Sequence, residues 1–222
     1  MTGRRVAAVV LAAGTSSRAA ADQKLLLPLD GGPVVAGPVR AALASGLEPV
    51  VVVTGHRADD VRRAVEAATE IADRERVRFV HNPRYAEGQG TSVARGLREV
   101  RTATDAAAAA VLLGDEPGLR PEAVRRTVAA WRRGASADPP KVVRARYRDR
   151  PGHPVVFPRG LFAAVEASGG EDGPRSWLAR NPDRVEEVRR PEEGPSDVDT
   201  AGDYRRLVGE EEAGPTGPAG GS

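Results

Sequence analysis

The sequence has no cysteine and few aromatic residues, and these absences exclude several classes of protein. Without cysteine there is no disulfide scaffold, no thiolate zinc site and no cysteine nucleophile. Only 4% of the residues are aromatic, too few for the ring clusters that stack on single-stranded nucleic acid. The three histidines, His56, His81 and His153, are too scattered for a histidine metal cluster. A cysteine-free chain fits a reducing compartment, and we expect a cytoplasmic protein.

Neither sign of charge predominates, and long hydrophobic runs are absent. The 33 basic and 31 acidic residues leave a net charge of +2, which is too small for a general polyanion binder. We therefore expect no nucleic-acid partner. The apolar run at residues 6–13 is too short to span a bilayer, so we interpret it as a buried strand and expect no membrane association.

The order of apolar and amphipathic segments predicts an α/β fold. A length of 222 residues favours one domain. Up to residue 133, apolar runs alternate with helical patterns, which is typical of a doubly wound, mostly parallel sheet of Rossmann-like type. From Lys141 a strand pair at residues 142–147 and 154–157 predicts a small antiparallel excursion. We assign residues 1–208 to the domain and residues 209–222, rich in Gly, Pro and Glu, to a disordered tail.

The first predicted strand runs into a loop of small residues that could bind phosphate. Residues 11–18 read LAAGTSSR, and Lys24 follows six residues later. Ligands of open α/β sheets lie beyond the carboxyl ends of strands, where small residues let backbone N–H groups approach phosphate oxygens. Arg18 and Lys24 would add positive charge, and lysine is rare in this chain, which has 31 arginines and two lysines. An ordinary surface turn with an exposed Arg and Lys has the same spacing, so both interpretations stay open.

Carboxylates follow two other predicted buried segments. Asp115 comes after the apolar run at residues 108–113, where it could hold Mg²⁺ at the same edge of the sheet. Asp197 and Asp199 are two residues apart and share one face of an extended segment. Helix capping is the alternative role for each of them. Thr200 and Asp203 have the spacing of a capping box, which predicts a last helix ending near residue 208.

Eight short motifs are distributed over nearly the whole chain outside the tail. They are Leu11-Ala-Ala-Gly14 with Arg18 and Lys24, Lys24-Leu-Leu-Leu-Pro-Leu-Asp-Gly31, Val53-Thr-Gly55-His56, His81-Asn-Pro83, Gly90-Thr-Ser-Val93, Gly114-Asp115-Glu-Pro117, Gly152-His-Pro-Val155 and Asp197-Val-Asp-Thr200. In this order they resemble the molybdenum cofactor nucleotidyltransferases, and most closely the cytidylyltransferase branch.

The resemblance implies a nucleotide-diphospho-sugar transferase fold and a specific reaction. The terminal phosphate of molybdopterin would attack the α-phosphorus of CTP, and pyrophosphate would leave. The implied cofactor is Mg²⁺. The implied partners are CTP or another nucleoside triphosphate, the molybdopterin-type substrate, and a molybdoenzyme or its maturation factor.

The resemblance also implies roles for individual residues. Arg18, Lys24 and Asp115 would be catalytic, Asp115 and Asp199 would hold the metal, and His153 would face the pterin. The nucleotide-binding residues would be Leu11, Ala12, Ala13, Gly14, Thr15 and Ser16 around the triphosphate, with Gly55, Asn82, Thr91 and Ser92 around the base and ribose.

Some positions bear on specificity or depart from the family pattern. The guanylyl branch tends to have glycine where this chain has Ala13, and the extra methyl would favour the smaller pyrimidine by about 1–3 kcal/mol. Ala20, Gly32, Glu116 and His153 stand where the family commonly has Gly, a basic residue, Met and Asn. These departures bear on the shape of the loop, on metal binding and on the identity of the acceptor.

Two alternative functions agree with the same motifs. One is a nucleotidyltransferase acting on a sugar or polyol phosphate, although the isoprenoid-pathway enzymes place Pro where this chain has Gln23. The other is a nucleotide-binding or cofactor-binding accessory factor without catalysis, which the departures at Ala20 and Glu116 would favour.

Overall fold

A seven-stranded sheet with helices on both faces organises the chain in the computed structural model, which describes residues 4–15, 23–29, 31–168, 173–198 and 200–209. The strands are β1 (Val6–Ala12), β2 (Pro28–Leu29), β3 (Gly32–Pro33), β4 (Val50–Thr54), β5 (Val77–His81), β6 (Ala108–Leu113), β7 (Val142–Arg146), β8 (Pro151–Pro158) and β9 (Val185–Arg189). The helices are α1 (Ala36–Ala44), α2 (Ala58–Ala68), α3 (Gln89–Ala103), α4 (Pro121–Gly134), α5 (Phe162–Ala167), α6 (Gly173–Arg180) and α7 (Ala201–Leu207).

The sheet has the strand order β5-β4-β1-β6-β8-β7-β9, and β2 and β3 form a separate antiparallel ladder. Strands β5, β4, β1 and β6 run parallel to one another, β8 runs antiparallel to β6 and β7, and β9 runs parallel to β7. The predicted α/β fold with a mostly parallel sheet is confirmed. The antiparallel excursion is the β7 and β8 pair, and β8 begins at Pro151, three residues before the strand predicted from residue 154.

Alternate residues of the central strand β1 pack into two hydrophobic cores, one on each face of the sheet. Val10 and its neighbours on one face pack in the layer that contains α1, α2 and α4. Val9 and Leu11 on the other face pack in the layer with α3, α5 and α6. Every residue of β1 is buried, because helices cover both faces of the parallel part of the sheet.

Local geometry shifts several predicted boundaries. Helix α1 starts at Ala36, because the preceding Pro33 belongs to β3. Helix α3 begins at Gln89, directly after Gly88 with its φ of +111°. The predicted capping box of α7 is confirmed: the Asp203 amide donates to Thr200 Oγ1 at 3.1 Å, and the Thr200 amide donates to Asp203 Oδ2 at 2.7 Å.

Two further predictions concern membrane association and the C-terminal tail. Among the helices of the described residues, none combines the length and apolarity that crossing a membrane requires. Of the segment predicted to be a disordered tail, Gly209 is described, and residues 210–222 lie outside the described residues.

Close packing of α3 on the sheet requires a glycine. A Cβ on Gly96 would lie 2.3 Å from Val9 Cγ1 and 3.0 Å from Val53 Cγ2. We predict that Gly96→Ala lowers the free energy of unfolding by about 1–3 kcal/mol, because the core must shift to admit the methyl. Gly134→Ala is the matched control in α4, since its nearest neighbouring atom would lie 3.8 Å away. Urea unfolding measures both, and a Gly96→Ala protein as stable as wild type would contradict the packing argument.

Candidate active site

Three parallel strands end side by side at one edge of the sheet. The Gly114 amide, just after β6, donates to the Leu11 carbonyl at 2.9 Å, and the His56 amide, just after β4, donates to the Ala13 carbonyl at 3.2 Å. A Cβ on Gly114 would lie 2.5 Å from the Leu11 carbonyl oxygen, so this approach requires glycine. The segments after β1, β4 and β6 are thereby held together at the carboxyl edge, where open α/β sheets bind their ligands.

The structure brings Lys24 and Asp115 together at this edge. Lys24 begins a short 3₁₀ helix (Lys24–Leu26), and its Nζ lies 2.7 Å from Asp115 Oδ2. Their side chains are 13% and 23% exposed, so the pair is largely shielded but open to the cavities on either side. An ammonium paired with a carboxylate keeps the local charge balanced, and each partner is of the kind that a triphosphate or a divalent cation would engage.

Gln23 connects the loops that surround this ion pair. Its side chain is buried, and its Nε2 donates to the Gly14 carbonyl at 3.3 Å and to the His56 carbonyl at 3.2 Å. One amide thus ties the start of the small-residue loop to the end of β4. This role of Gln23 was not predicted from the sequence, where its only indication is the position of Gln23 directly before Lys24.

Two cavities meet at the ion pair. The smaller one has a volume of about 130 Å³, and the larger one is an open cleft of about 700 Å³. The residues that line both are Leu11, Gln89, Leu113 and Asp115. Asp115 therefore lies where the two cavities join.

Several of the predicted nucleotide-binding residues surround the smaller cavity. Leu11, Ala13, Gly14 and Ser92 line it together with Lys24. Ala12 is fully buried in the sheet and Thr15 is exposed. Ser16 and Arg18 lie outside the described residues, as does Asp199.

Asn82, Thr91 and Ser92 form a hydrogen-bonded group behind this cavity. The Asn82 side chain is buried, and its Nδ2 donates to Thr91 Oγ1 at 2.9 Å and to Ser92 Oγ at 3.0 Å. Asn82 Oδ1 accepts from the Arg84 amide at 3.1 Å. The amide group thus holds the start of α3 against the end of β5. Of the three, Ser92 lines the cavity, whereas Asn82 and Thr91 support it from behind.

Gly55 supports the same region from β4. A Cβ on it would lie 2.6 Å from Tyr85 Cβ and 2.7 Å from the Ala13 carbonyl oxygen. Tyr85 lines the smaller cavity, so the absence of a side chain at Gly55 lets the tyrosine reach this position. Gly55 therefore shapes the cavity wall without lining it.

The larger cleft joins an apolar floor to a charged rim. Its floor includes Val93, Val111 and Phe157, and its rim carries Arg144, His153, Arg175 and Asp197. Arg144 is paired with Glu187, at 2.6 Å between Nη2 and Oε1. His153, which the resemblance places beside the pterin, is thus in the cleft next to Asp115. The cleft thus combines apolar side chains with charged side chains of both signs.

Glu116 and Tyr147 lie behind His153. The Glu116 side chain is 5% exposed, and its Oε1 is 3.8 Å from His153 Nδ1. The buried Tyr147 hydroxyl donates to the His153 carbonyl at 2.8 Å. Burial, and secondarily the Glu116 carboxylate, raises the pKa of Tyr147 to about 12. The resemblance to the family implied no role for Glu116 or Tyr147.

The capping alternatives for the aspartates are wrong for the residues that the structure describes. Helix α4 begins after Arg120 with no side-chain cap, so Asp115 does not cap it. Helix α7 is capped by Thr200 with Asp203 rather than by Asp197. The Val198 amide donates to the Asp115 carbonyl at 3.1 Å, which holds the Asp197 segment beside the end of β6.

The donor chemistry at this edge fits a hard divalent cation. Mg²⁺ prefers oxygen ligands and often takes one or two protein carboxylates together with substrate phosphates. Asp115 offers such a carboxylate at the junction of the cavities. Within the described part of the chain, which does not include Asp199, no group of three or more His, Asp or Glu side chains is arranged to hold a metal.

A family model described as the MobA-like NTP transferase domain matches residues 8–185, from β1 to the start of β9. The chain belongs to this family. The matched region includes Lys24, Asp115, Glu116 and His153.

The MobA-like domain is similar to solved structures over almost its full length. It is 29% identical to Rv0371c from Mycobacterium tuberculosis H37Rv, with a TM-score of 0.74, and the match covers 94% of this chain and 100% of that one. A manganese complex of Rv0371c aligns with a TM-score of 0.71 at 28% identity over the same shares of both chains. The nucleotidyl transferase Mth528 from Methanothermobacter aligns with a TM-score of 0.72 at 26% identity, covering 93% of this chain and 97% of that one.

Curated relatives match a shorter part of the MobA-like domain. It is 36% identical over 126 residues to the bifunctional protein GlmU of Geobacter metallireducens, which covers 56% of this chain and 25% of GlmU. The chain thus spans about a quarter of the length of this relative. Family and structural neighbours together support nucleotidyl transfer as the reaction class.

The raised pKa of Tyr147 gives a test of its burial. An ordinary tyrosine titrates near 10.0, so between pH 10 and 12 the unfolded chain releases a proton that the folded protein keeps. Because burial disfavours the charged phenolate, this group leaves stability unchanged below pH 10 and lowers it progressively as the pH rises from 10 through 12. Phenolate absorbance should show one of the three tyrosines titrating near pH 12 in wild type, and this step should be missing in Tyr147→Phe. Tyr204→Phe is the control, and an unchanged high-pH step in Tyr147→Phe would refute the assignment.

Proposed function

We propose that this protein transfers the CMP group of CTP to the terminal phosphate of a molybdopterin-type molybdenum cofactor, with release of pyrophosphate. The observation that carries the proposal is the Lys24–Asp115 ion pair at the junction of a small cavity and a larger cleft. The small cavity would take part of the nucleotide and the cleft would take the acceptor. The same edge of the sheet would then bring two anionic substrates together in the cytoplasm.

The reaction forms one bond to phosphorus and breaks another. An oxygen of the acceptor phosphate attacks the α-phosphorus, the bond from that phosphorus to the bridging oxygen of the β-phosphate breaks, and the electron pair leaves with pyrophosphate. Because the nucleophile is already an anion, the step needs alignment and charge neutralisation more than a general base. Lys24 would hold the triphosphate, with Arg18 as a second cation from the loop after β1.

A divalent cation completes the proposed charge balance. When bound, Mg²⁺ would neutralise charge on the triphosphate, with Asp115 and Asp199 as its protein ligands. In that state Asp115 would contact the metal and Lys24 would contact the triphosphate. The manganese complex of the similar protein Rv0371c supports a divalent ion as cofactor.

The residues around the two cavities support the choice of substrates. Ala13 lines the smaller cavity, where its methyl would leave less room for a purine than glycine would. The apolar floor and the charged rim of the cleft suit a pterin with a phosphate tail, and His153 stands on this rim.

Pyrophosphate release with each of the four nucleoside triphosphates and purified molybdopterin tests the function. We expect release with CTP that requires both molybdopterin and a divalent cation, and weaker release with GTP. Sugar phosphates and polyol phosphates replace molybdopterin in parallel assays. Faster transfer to one of them would contradict the acceptor assignment, and CTP binding without turnover on any acceptor would instead indicate an accessory factor.

Removal of the Asp115 carboxylate should abolish most of the activity. We predict that Asp115→Ala lowers turnover on the order of a hundredfold, because a charge-stabilising ligand and the partner of Lys24 are lost together. Asp105→Ala is the matched control, since Asp105 is 71% exposed and pairs with Arg5 at the surface. Rates of pyrophosphate release at saturating Mg²⁺ compare the two. Near-normal turnover of Asp115→Ala would end the metal assignment.

A further inference from the structure

Asp115 and Glu116, two adjacent carboxylates just after β6, face different partners. Asp115 is paired with Lys24 at 2.7 Å, whereas Glu116 faces His153, with 3.8 Å between Oε1 and Nδ1. The Glu116 side chain is 5% exposed, and within the described part of the chain its Oε2 is buried with no hydrogen-bond partner. The mechanism proposed above gives this carboxylate no role.

A carboxylate in this position costs stability. A buried charge whose oxygens are not all hydrogen-bonded is disfavoured, and an apolar side chain of similar volume is often neutral or stabilising in its place. Residues that break local packing rules in this way are expected at functional sites.

The proximity of Glu116 to His153 indicates what the buried carboxylate does in return for the stability that it costs. His153 lies on the rim of the larger cleft, and its backbone is fixed by the hydrogen bond from Tyr147 to its carbonyl. Because the imidazole Nδ1 is the nitrogen nearest Glu116, the ring edge that carries Nε2 is the one turned away from the carboxylate. A charge 3.8 Å from one ring nitrogen favours one orientation of the ring over its flipped form.

We propose that Glu116 is a positioning residue: it orients the imidazole of His153 so that Nε2 is presented to the acceptor in the cleft. Glu116 thereby acts on binding of the acceptor and not on binding of the nucleotide. The proposal rests on the proposed function insofar as the cleft is the acceptor site. The orientation of the ring does not depend on which acceptor the enzyme uses.

Two variants of Glu116 separate positioning from structural support. Glu116→Gln keeps the shape and removes the charge, and Glu116→Met replaces the carboxylate by an apolar chain of similar length. We expect both to raise the KM for the acceptor about tenfold while kcat and the KM for CTP change by less than about twofold. Thermal unfolding should show Glu116→Met at least as stable as wild type. Glu66→Gln, which breaks a surface pair with Arg62, is the matched control and should leave every parameter unchanged.

A double-mutant cycle with His153→Asn tests whether Glu116 acts through the imidazole. In the His153→Asn background the substitution of Glu116 should have no further effect on the KM for the acceptor. An equal effect of Glu116→Gln in both backgrounds would overturn the proposal, because Glu116 would then act by another route.

Nuclear magnetic resonance of the imidazole nitrogens gives a readout that needs no substrate. The chain has three histidines, and His153→Asn identifies the His153 signals in ¹H–¹⁵N correlation spectra. We expect Glu116→Gln and Glu116→Met to shift the His153 nitrogen signals and to leave those of His56 and His81 in place. If wild type fails to transfer CMP to molybdopterin but these shifts occur, the proposed function fails and the positioning role stands. Unchanged His153 signals in both variants would overturn the positioning role whatever the enzyme's substrate.

Discussion

The contact between Lys24 and Asp115 is the interaction on which the site depends. The two residues come from segments far apart in the chain, and they meet because the ends of β1 and β6 are joined by the hydrogen bond from Gly114 to Leu11. Gln23, directly before Lys24, ties the 3₁₀ turn to the same edge through the carbonyls of Gly14 and His56. A triphosphate needs cations and metal-binding carboxylates within a few ångströms of one another, and the parallel sheet provides that proximity at its carboxyl edge.

The ion pair has a small cavity on one side and an open cleft on the other. On one side, Gln23 and the Asn82 group hold the segments after β1, β4 and β5 around the small cavity. On the other, β8 brings His153 to an open cleft with a charged rim. In the proposed function, the antiparallel strands would add an acceptor surface to a nucleotide-binding sheet, and Asp115 lines the cavities on both sides.

Much of the fold was predictable because its determinants are local. Strands buried on both faces read as unbroken apolar runs, and β1 and β6 were predicted from that pattern. Asp115 was predicted because it follows such a strand, and Lys24 because it follows the small-residue segment after β1 in a chain with only two lysines. The β2 and β3 ladder was not predicted, because two residues per strand carry no periodic signal. The roles of Gln23 and Glu116 depend on partners 33 and 37 positions away, which spacing in a single sequence does not reveal.

The most direct test of the account is a crystal structure of the protein with CTP and Mg²⁺. The ion pair between Lys24 Nζ and Asp115 Oδ2, now 2.7 Å long, should open. Lys24 should then contact the triphosphate, and Asp115 should contact the metal. A nucleotide bound away from this edge, with the ion pair intact, would contradict the central claim.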